Sequence, residues 1–198
     1  MTDRTDHSTV HLTRIYTRTG DDGSTALGDM SRVAKTSPRI AAFADVDEAN
    51  AALGVAVALG GLDDDVAALL VAIQNDLFDV GADLCTPVVE APRWKPIRVT
   101  DGYVTRLEEA CDAYNASLSK LNSFVLPGGT PGSALLHVAR TVTRRAERST
   151  WLLLEAERDA TNLLTATYLN RLSDLLFILS RYANRHTGDV LWKPSANA

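Results

Sequence analysis

Cysteine is scarce in this chain: its 198 residues include two, Cys85 and Cys111, which form neither a Cys-x-x-Cys pair nor a disulfide framework. This usage is typical of a reducing compartment, so we expect a cytoplasmic protein. The longest apolar runs are far shorter than the ~20 residues that a membrane span needs, and the N-terminus lacks the apolar core of a signal peptide. The net charge of −5 differs from the basic footprint of nucleic-acid-binding proteins. We therefore expect neither a membrane nor a nucleic acid as a partner.

Several catalytic motifs are also absent. The sequence has no G-x-x-x-x-G-K-[ST], no Glu-x-x-His and no G-x-S-x-G, which excludes a P-loop protein and argues against a di-metal helix bundle. Its four histidines lack the spacing of metal ligands: His7, His11, His137 and His186. We therefore predict no metal ligands from the protein, and we interpret His137 as a packed helix residue rather than a catalyst.

What the sequence does contain is helical periodicity. Five segments predict α-helices, at residues 37–60, 63–85, 100–118, 131–157 and 163–186. Ser37 is the expected N-cap of the first helix, with Pro38 at its first helical position. The only strand candidate lies near residues 10–17. We predict an all-α bundle of about five helices, a single domain over residues 1–198 with a flexible arm at residues 1–11.

The stretch YTRTGDDGST, residues 16–25, predicts an anion-binding loop. Gly20 and Gly23 can adopt positive φ and let backbone N–H groups converge on an anion. The loop also offers hydroxyl and guanidinium donors, from Thr17, Arg18, Thr19, Ser24 and Thr25. Asp21 and Asp22 oppose this interpretation, because a carboxylate repels a phosphate.

The fourth and fifth helices carry polar stripes opposite apolar ones. In the fourth helix we expect an apolar face made by Leu135, Val138, Val142, Ala146 and Leu153 and a stripe made by Arg140, Arg144, Glu147 and Arg148. In the fifth, four leucines (Leu169, Leu172, Leu176, Leu179) lie opposite Asn170, Arg171 and Asp174. A solvated face is one interpretation of the arginine stripe. Because arginine suits bidentate contact with phosphate oxygens, a polyphosphate site is the other.

Five segments in order closely resemble the PduO-type ATP:cob(I)alamin adenosyltransferases: YTRTGDDGST, DVDEANAALG, SFVLPGG, LHVARTVTRRAER and YLNRLSDLLFILSRYAN. The resemblance runs from about residue 12 to residue 193. It implies a homotrimer of five-helix bundles that binds MgATP between neighbouring subunits. It also implies transfer of the 5′-deoxyadenosyl group of ATP to the cobalt of cob(I)alamin, which gives adenosylcobalamin and triphosphate.

The resemblance assigns roles to individual residues. The positions that contact the triphosphate are matched by Thr17, Arg18, Thr19, Gly20 and Thr25, with Lys35 as an addition. The positions that line the nucleotide site from the neighbouring subunit are matched by Arg140, Arg144, Glu147, Arg148 and Asn170, of which we take Arg140 and Arg144 as catalytic. Asp47 matches a carboxylate that pairs with Arg140 across the interface. Asp21 is expected to fix backbone N–H groups of the loop, and Asp22 is expected to point to solvent without a role.

Phe124 of SFVLPGG matches an aromatic residue that, in this family, fills the space under the corrin ring, and we count it as catalytic and cobalamin-binding. A loop residue packed on the core is the other interpretation of Phe124. The implied partners are ATP, cob(II)alamin or cob(I)alamin, a flavin-dependent reductase and an adenosylcobalamin-dependent mutase that receives the product. Two alternatives remain open, a helical bundle that binds ATP as a sensor and a cobalamin chaperone.

Overall fold

The structure, a computed structural model, describes residues 16–195. These residues form a bundle of five α-helices: α1 (Pro38–Leu59), α2 (Asp64–Cys85), α3 (Asp101–Asn115), α4 (Pro131–Ala156) and α5 (Leu163–Ala183). The predicted five-helix bundle is confirmed, and the helix bounds lie within a few residues of those expected. The arm at residues 1–11 and most of the strand candidate at residues 10–17 lie outside the described part of the chain.

A short β-hairpin precedes the helices and was not predicted. Strand β1 (Ser24–Ala26) pairs antiparallel with β2 (Arg32–Ala34), and Thr25 lies opposite Val33. The backbone N–H of Gly28, in the turn, donates to the carbonyl of Cys85 at 2.8 Å. The hairpin is therefore attached to the bundle at the C-terminal end of α2.

Helix starts follow local capping chemistry. The Ser37 hydroxyl accepts a hydrogen bond from the N–H of Ile40, with Pro38 as the first helical residue, as the sequence predicts. Thr130 caps α4 in the same way, 3.2 Å from the N–H of Ser133. The Asn162 side chain caps α5 by accepting from the N–H of Leu164. These caps satisfy N–H groups that the helices themselves leave unpaired.

The core lies between α1, α2, α4 and α5, with α3 packed against α5. The four leucines predicted to form the apolar stripe of α5 are all fully buried. The expected apolar face of α4 was wrong in part, because Val138 is 54% exposed. The core side of α4 instead includes Thr143 and Thr150, whose hydroxyls donate to the carbonyls of Ala139 and Ala146. Those internal bonds allow polar residues to take core positions.

One end of the bundle is held by two buried ionic groups. Arg39 donates to the carboxylate of Glu157 at 2.7 Å and to the carbonyl of Leu84, so it joins the start of α1 to the ends of α2 and α4. Asp83, whose side chain is fully buried, accepts from Arg98 at 2.6 Å. These contacts fix the end of the bundle to which the hairpin is attached. None of the helices within residues 16–195 is both long and apolar enough to cross a membrane.

Candidate functional site

The predicted anion loop forms a tight, exposed turn. The N–H of Gly23 donates to the carbonyl of Gly20 at 3.2 Å, and Gly23 has φ +82° while Arg18 has φ +62°. The hydroxyls of Thr17 and Thr19 lie 2.9 Å apart. Positive φ at a non-glycine residue is uncommon. The turn presents the hydroxyls of Thr17 and Thr19 and the Arg18 guanidinium from one short segment.

Lys35 returns to this turn from the end of the hairpin. Its N–H donates to the carbonyl of Gly23 at 2.9 Å. A β-carbon built on Gly20 would lie 3.1 Å from the Lys35 Nζ, so the ammonium stands directly beside that glycine. Thr25 lies half-buried in β1, just beyond the turn. The structure thus brings together the residues predicted from the N-terminal region.

The role in the loop that we expected of Asp21 belongs to Asp22. Asp22 is exposed, but its carboxylate accepts hydrogen bonds from both the N–H and the hydroxyl of Ser24, at 2.9 and 2.7 Å. These bonds lower the pKa of Asp22. Asp21, to which we had given that role, has no hydrogen-bond or ion-pair partner within residues 16–195. Asp22 therefore fixes the turn, as aspartate commonly does two residues before the N–H that it binds.

Arg32 is a second loop residue that the sequence analysis missed. Its Nη2 donates to the carbonyl of Thr19 at 2.7 Å and to the hydroxyl of Ser24, and it lies 3.6 Å from the Asp22 carboxylate. Arg32 reaches the turn because it lies on β2, which runs beside that turn. Without a predicted hairpin, no sequence signal pointed to it.

The arginine stripe of α4 is not neutralised. Arg140, Arg144 and Arg148 follow one another at intervals of four residues, and none forms an ion pair within the described part of the chain. Burial and the charge of Arg144 lower the pKa of Arg140, so these cations repel one another. By contrast, Arg145 pairs with Glu48 and Asp45 of α1. Three arginines on one helix face without an acidic ion-pair partner concentrate positive charge there, which favours the anion site over the solvated face.

Glu147 and Asn170 complete the stripe. The Nδ2 of Asn170, on α5, donates to the Oε1 of Glu147 on α4 at 3.2 Å. Both side chains are half-buried. The bond places an amide and a carboxylate beside the arginines, where they can act as acceptors for the hydroxyl and amino groups of a nucleotide.

The loop and the stripe form two separate groups within one chain. No hydrogen bond or ion pair joins residues 17–25 or Lys35 to the α4 stripe in the part that the structure describes. The hairpin is attached at the end where α4 terminates, and Arg140 lies 16 residues before Ala156, or about 24 Å along the helix. Within the described chain the loop and the stripe are therefore two separate groups of side chains.

Asp47 lies on a different surface from both. It is exposed on α1 without a partner among residues 16–195, and it lines a cavity of about 80 Å³ with Phe43, Asn50 and Phe78. Phe78 is 71% exposed. Exposed aromatic rings such as Phe43 and Phe78 are typical of a surface that contacts another chain.

Phe124 is a surface residue and does not pack on the core. Its side chain is 76% exposed, and its ring meets that of Trp192 edge to face, with centroids 5.9 Å apart. Its carbonyl accepts from the N–H of Trp192 at 2.8 Å, and Leu126 donates to Val190, so the C-terminal segment forms a short ladder with this loop. The interpretation of Phe124 as packed on the core is wrong. The sequence analysis also missed Trp192.

His137 is a packed helix residue, as predicted, and is 2% exposed. Within residues 16–195 no group of three histidine, cysteine, aspartate or glutamate side chains is arranged to hold a metal ion.

Comparison with known proteins places this geometry in context. Residues 15–183 match the family profile described as cobalamin adenosyltransferase. The chain is 64% identical to the corrinoid adenosyltransferase of Mycobacterium tuberculosis over 188 residues, which cover 95% of this chain and 97% of that protein. It is 42% identical to the corrinoid adenosyltransferase PduO of Salmonella typhimurium over 84% of this chain and 48% of that one.

A solved structure is similar as well. A variant of the PduO-type ATP:corrinoid adenosyltransferase from Lactobacillus reuteri, complexed with cobalamin and ATP, superposes with a TM-score of 0.84. The two sequences are 36% identical, and the match covers 91% of this chain and 99% of that one.

Proposed function

The chain belongs to the cobalamin adenosyltransferase family, and we propose that it transfers the 5′-deoxyadenosyl group of ATP to the cobalt of cob(I)alamin. It is a corrinoid adenosyltransferase, and its substrates are ATP and cobalamin. The cobalt–carbon bond forms with the electron pair of cob(I)alamin. The C5′–oxygen bond of ATP breaks, and triphosphate leaves with that bonding pair.

The observation that carries this proposal is the unneutralised arginine stripe. Cob(I)alamin is itself a strong nucleophile, so the reaction needs no general base. What it needs is a C5′ held in line with cobalt and stabilisation of the negative charge that grows on the departing triphosphate. Arg140, Arg144 and Arg148 offer positive charge, and no carboxylate of the described chain forms an ion pair with them.

The complete site is proposed to form between subunits of a homotrimer. In this arrangement the turn at residues 16–25, with Lys35, surrounds the phosphates of MgATP bound against the α4 stripe of the neighbouring subunit. The absence of hydrogen bonds and ion pairs between residues 17–25 and the stripe within the described chain supports this, as does the lack of an ion-pair partner for Asp47 and for Arg140 among residues 16–195. We propose that Asp47 of one subunit pairs with Arg140 of the next.

Phe124 is proposed to cover the lower face of the corrin ring. An aromatic ring that is largely exposed and packed edge to face on Trp192 is available to contact a large apolar ligand. There it would exclude water and the displaced axial base, which makes cob(II)alamin easier to reduce. Reduction by a flavin-dependent reductase and direct delivery of the product to a mutase are further proposals, and the cytoplasmic location stays a prediction.

An anaerobic assay tests the reaction. Chemically prepared cob(I)alamin is mixed with ATP and the protein, and the loss of cob(I)alamin absorbance is followed together with the release of inorganic triphosphate. The proposal predicts equal amounts of adenosylcobalamin and triphosphate. Binding of ATP without release of triphosphate would instead favour the sensor alternative, and binding of cobalamin without either product would favour the chaperone.

A further inference from the structure

His137 has a contact that its burial alone does not explain. It lies one helical turn before Arg140 on α4, and the Arg140 Nε donates to the His137 Nδ1 over a long 3.4 Å. An Nδ1 that accepts a hydrogen bond carries no proton, so the neutral ring must hold its proton on Nε2. The ring also packs edge to face on Phe177 of α5, with centroids 6.2 Å apart.

This contact leaves the two Nη groups of Arg140 available to bind a ligand. Within residues 16–195 the Nη groups of Arg140 have no hydrogen-bond partner. Arginine binds phosphate oxygens best with two parallel N–H groups, and a guanidinium held at Nε keeps its two Nη groups in one orientation. An acceptor at the Nδ1 of His137 is thus suited to directing the fork of Arg140.

The charges around His137 favour its neutral form. Burial and the charge of Arg140, on the same helix, lower the pKa of His137 below its ordinary value of 6.5. Asp189, in the C-terminal segment, acts in the opposite direction, but Arg181 of α5 holds its carboxylate in an ion pair at 2.9 Å. Neither the His137 Nε2 nor the Asp189 Oδ1 has a partner among the described residues.

We propose that His137 is a positioning residue, whose neutral ring orients the Arg140 guanidinium toward the bound nucleotide through Nδ1. This inference rests on the proposed function of Arg140, whose four Nη hydrogens serve both the nucleotide and Asp47 of the neighbouring subunit. A residue that served packing alone could be replaced by any side chain of similar volume. A positioning residue needs an acceptor at the place of Nδ1, and protonation of the ring removes that acceptor and sets two cations against each other.

Protonation of His137 should lower the free energy of unfolding. Because the pKa of His137 is lowered in the folded state, the unfolded chain binds this proton at a higher pH than the folded chain does. The free energy of unfolding should therefore fall as the pH drops below about 6.5, and this slope should be smaller in His137→Phe. Urea titrations between pH 5 and 7.5 measure it.

Two substitutions separate positioning from packing. His137→Asn keeps an acceptor near the place of Nδ1, whereas His137→Phe keeps an aromatic ring against Phe177 without an acceptor. We expect the KM for ATP to rise about tenfold or more in His137→Phe and to stay within about threefold of wild type in His137→Asn. The same pair of changes at His186, which is exposed, provides the control and should leave the KM unchanged.

The pH dependence and the tautomer give readouts that packing would not alter. The KM of the wild type for ATP should rise as the pH falls through the pKa of His137. That rise should be absent in His137→Phe. In the ligand-free wild type, the ¹⁵N shifts of the ring measured by NMR should show a proton on Nε2 and a pKa below the ordinary histidine value of 6.5. This measurement stands even if His137→Phe does not fold.

An equal rise in the KM for ATP in His137→Phe and His137→Asn, or a proton found on Nδ1, would overturn the inference. The NMR result does not depend on the reaction. A wild-type protein that shows the predicted tautomer but forms no adenosylcobalamin would contradict the proposed function rather than the position of the proton.

Discussion

Replacing Arg144 by alanine should separate catalysis from folding. Arg144 is exposed, forms no ion pair within residues 16–195, and its charge lowers the pKa of its neighbour Arg140. Its removal therefore breaks no described contact and relieves a repulsion, so the free energy of unfolding should hardly change. If Arg144 stabilises the departing triphosphate, its loss should cost ~2–4 kcal/mol of transition-state stabilisation. That loss corresponds to a rate reduced about 30- to 1,000-fold.

Arg145 provides the matched control, because it is the next residue on the same helix but faces α1. It pairs with Glu48 and Asp45, and these contacts raise its pKa. We expect Arg145→Ala to keep the wild-type rate of cob(I)alamin consumption under saturating ATP. Each variant is checked by circular dichroism and sedimentation before its rate is measured. An Arg144→Ala protein with the wild-type fold and rate would refute the reasoning and return the stripe to the solvated face.

Three further predictions concern other parts of the molecule. Phe124→Ala should slow turnover that starts from cob(II)alamin much more than turnover from prepared cob(I)alamin, with loss of the four-coordinate cob(II)alamin spectrum. Asp47→Ala and Arg140→Ala should each weaken assembly in sedimentation, and Asp47→Arg/Arg140→Asp should recover assembly better than activity. Asp83→Ala should lower the free energy of unfolding by about 3 kcal/mol or more in urea titrations, because it leaves the charge of Arg98 without its buried partner.

Two of these predictions have a matched control variant. Leu126→Ala changes an exposed residue of the same loop and should leave the cob(II)alamin reaction unaltered. Asp112→Ala removes an exposed carboxylate from α3 and should leave the stability close to that of the wild type. A wild-type chain that sediments as a monomer at micromolar concentration would contradict the Asp47–Arg140 interface. An unchanged four-coordinate spectrum in Phe124→Ala would remove the role of that ring.

The helices were predictable where local chemistry and core packing agree. Ser37 and Pro38 mark the start of α1, and the leucines of α5 are spaced for one buried face. The face of α4 was misjudged because Thr143 and Thr150 are buried with their hydroxyls bonded to the helix itself. A count of apolar residues cannot detect that form of burial.

The arginine stripe was predictable from the sequence, but the hairpin beside the loop was not. Residue types and spacing were enough to select the stripe, since Arg140, Arg144 and Arg148 recur every fourth residue on one helix. The hairpin was missed because each strand has only three residues, although Asp22-x-Ser24 and Asp29-x-Ser31 form the same aspartate turn at two places. His137 and Arg140 are three residues apart on α4, a spacing that brings side chains together on a helix, but the sequence analysis did not pair them.

The central claim is that each complete site combines the loop of one subunit with the stripe of the next, and mixed trimers test it most directly. One partner carries Arg144→Ala, and the other carries Arg18→Ala/Lys35→Ala, so that each protein alone should be inactive. In a random equal mixture of cyclic trimers, about a quarter of the sites pair an intact loop with an intact stripe. We predict that co-assembly restores up to about a quarter of the wild-type rate of adenosylcobalamin formation. A mixture shown to contain both chains in one trimer, yet no more active than the separate variants, would contradict the account.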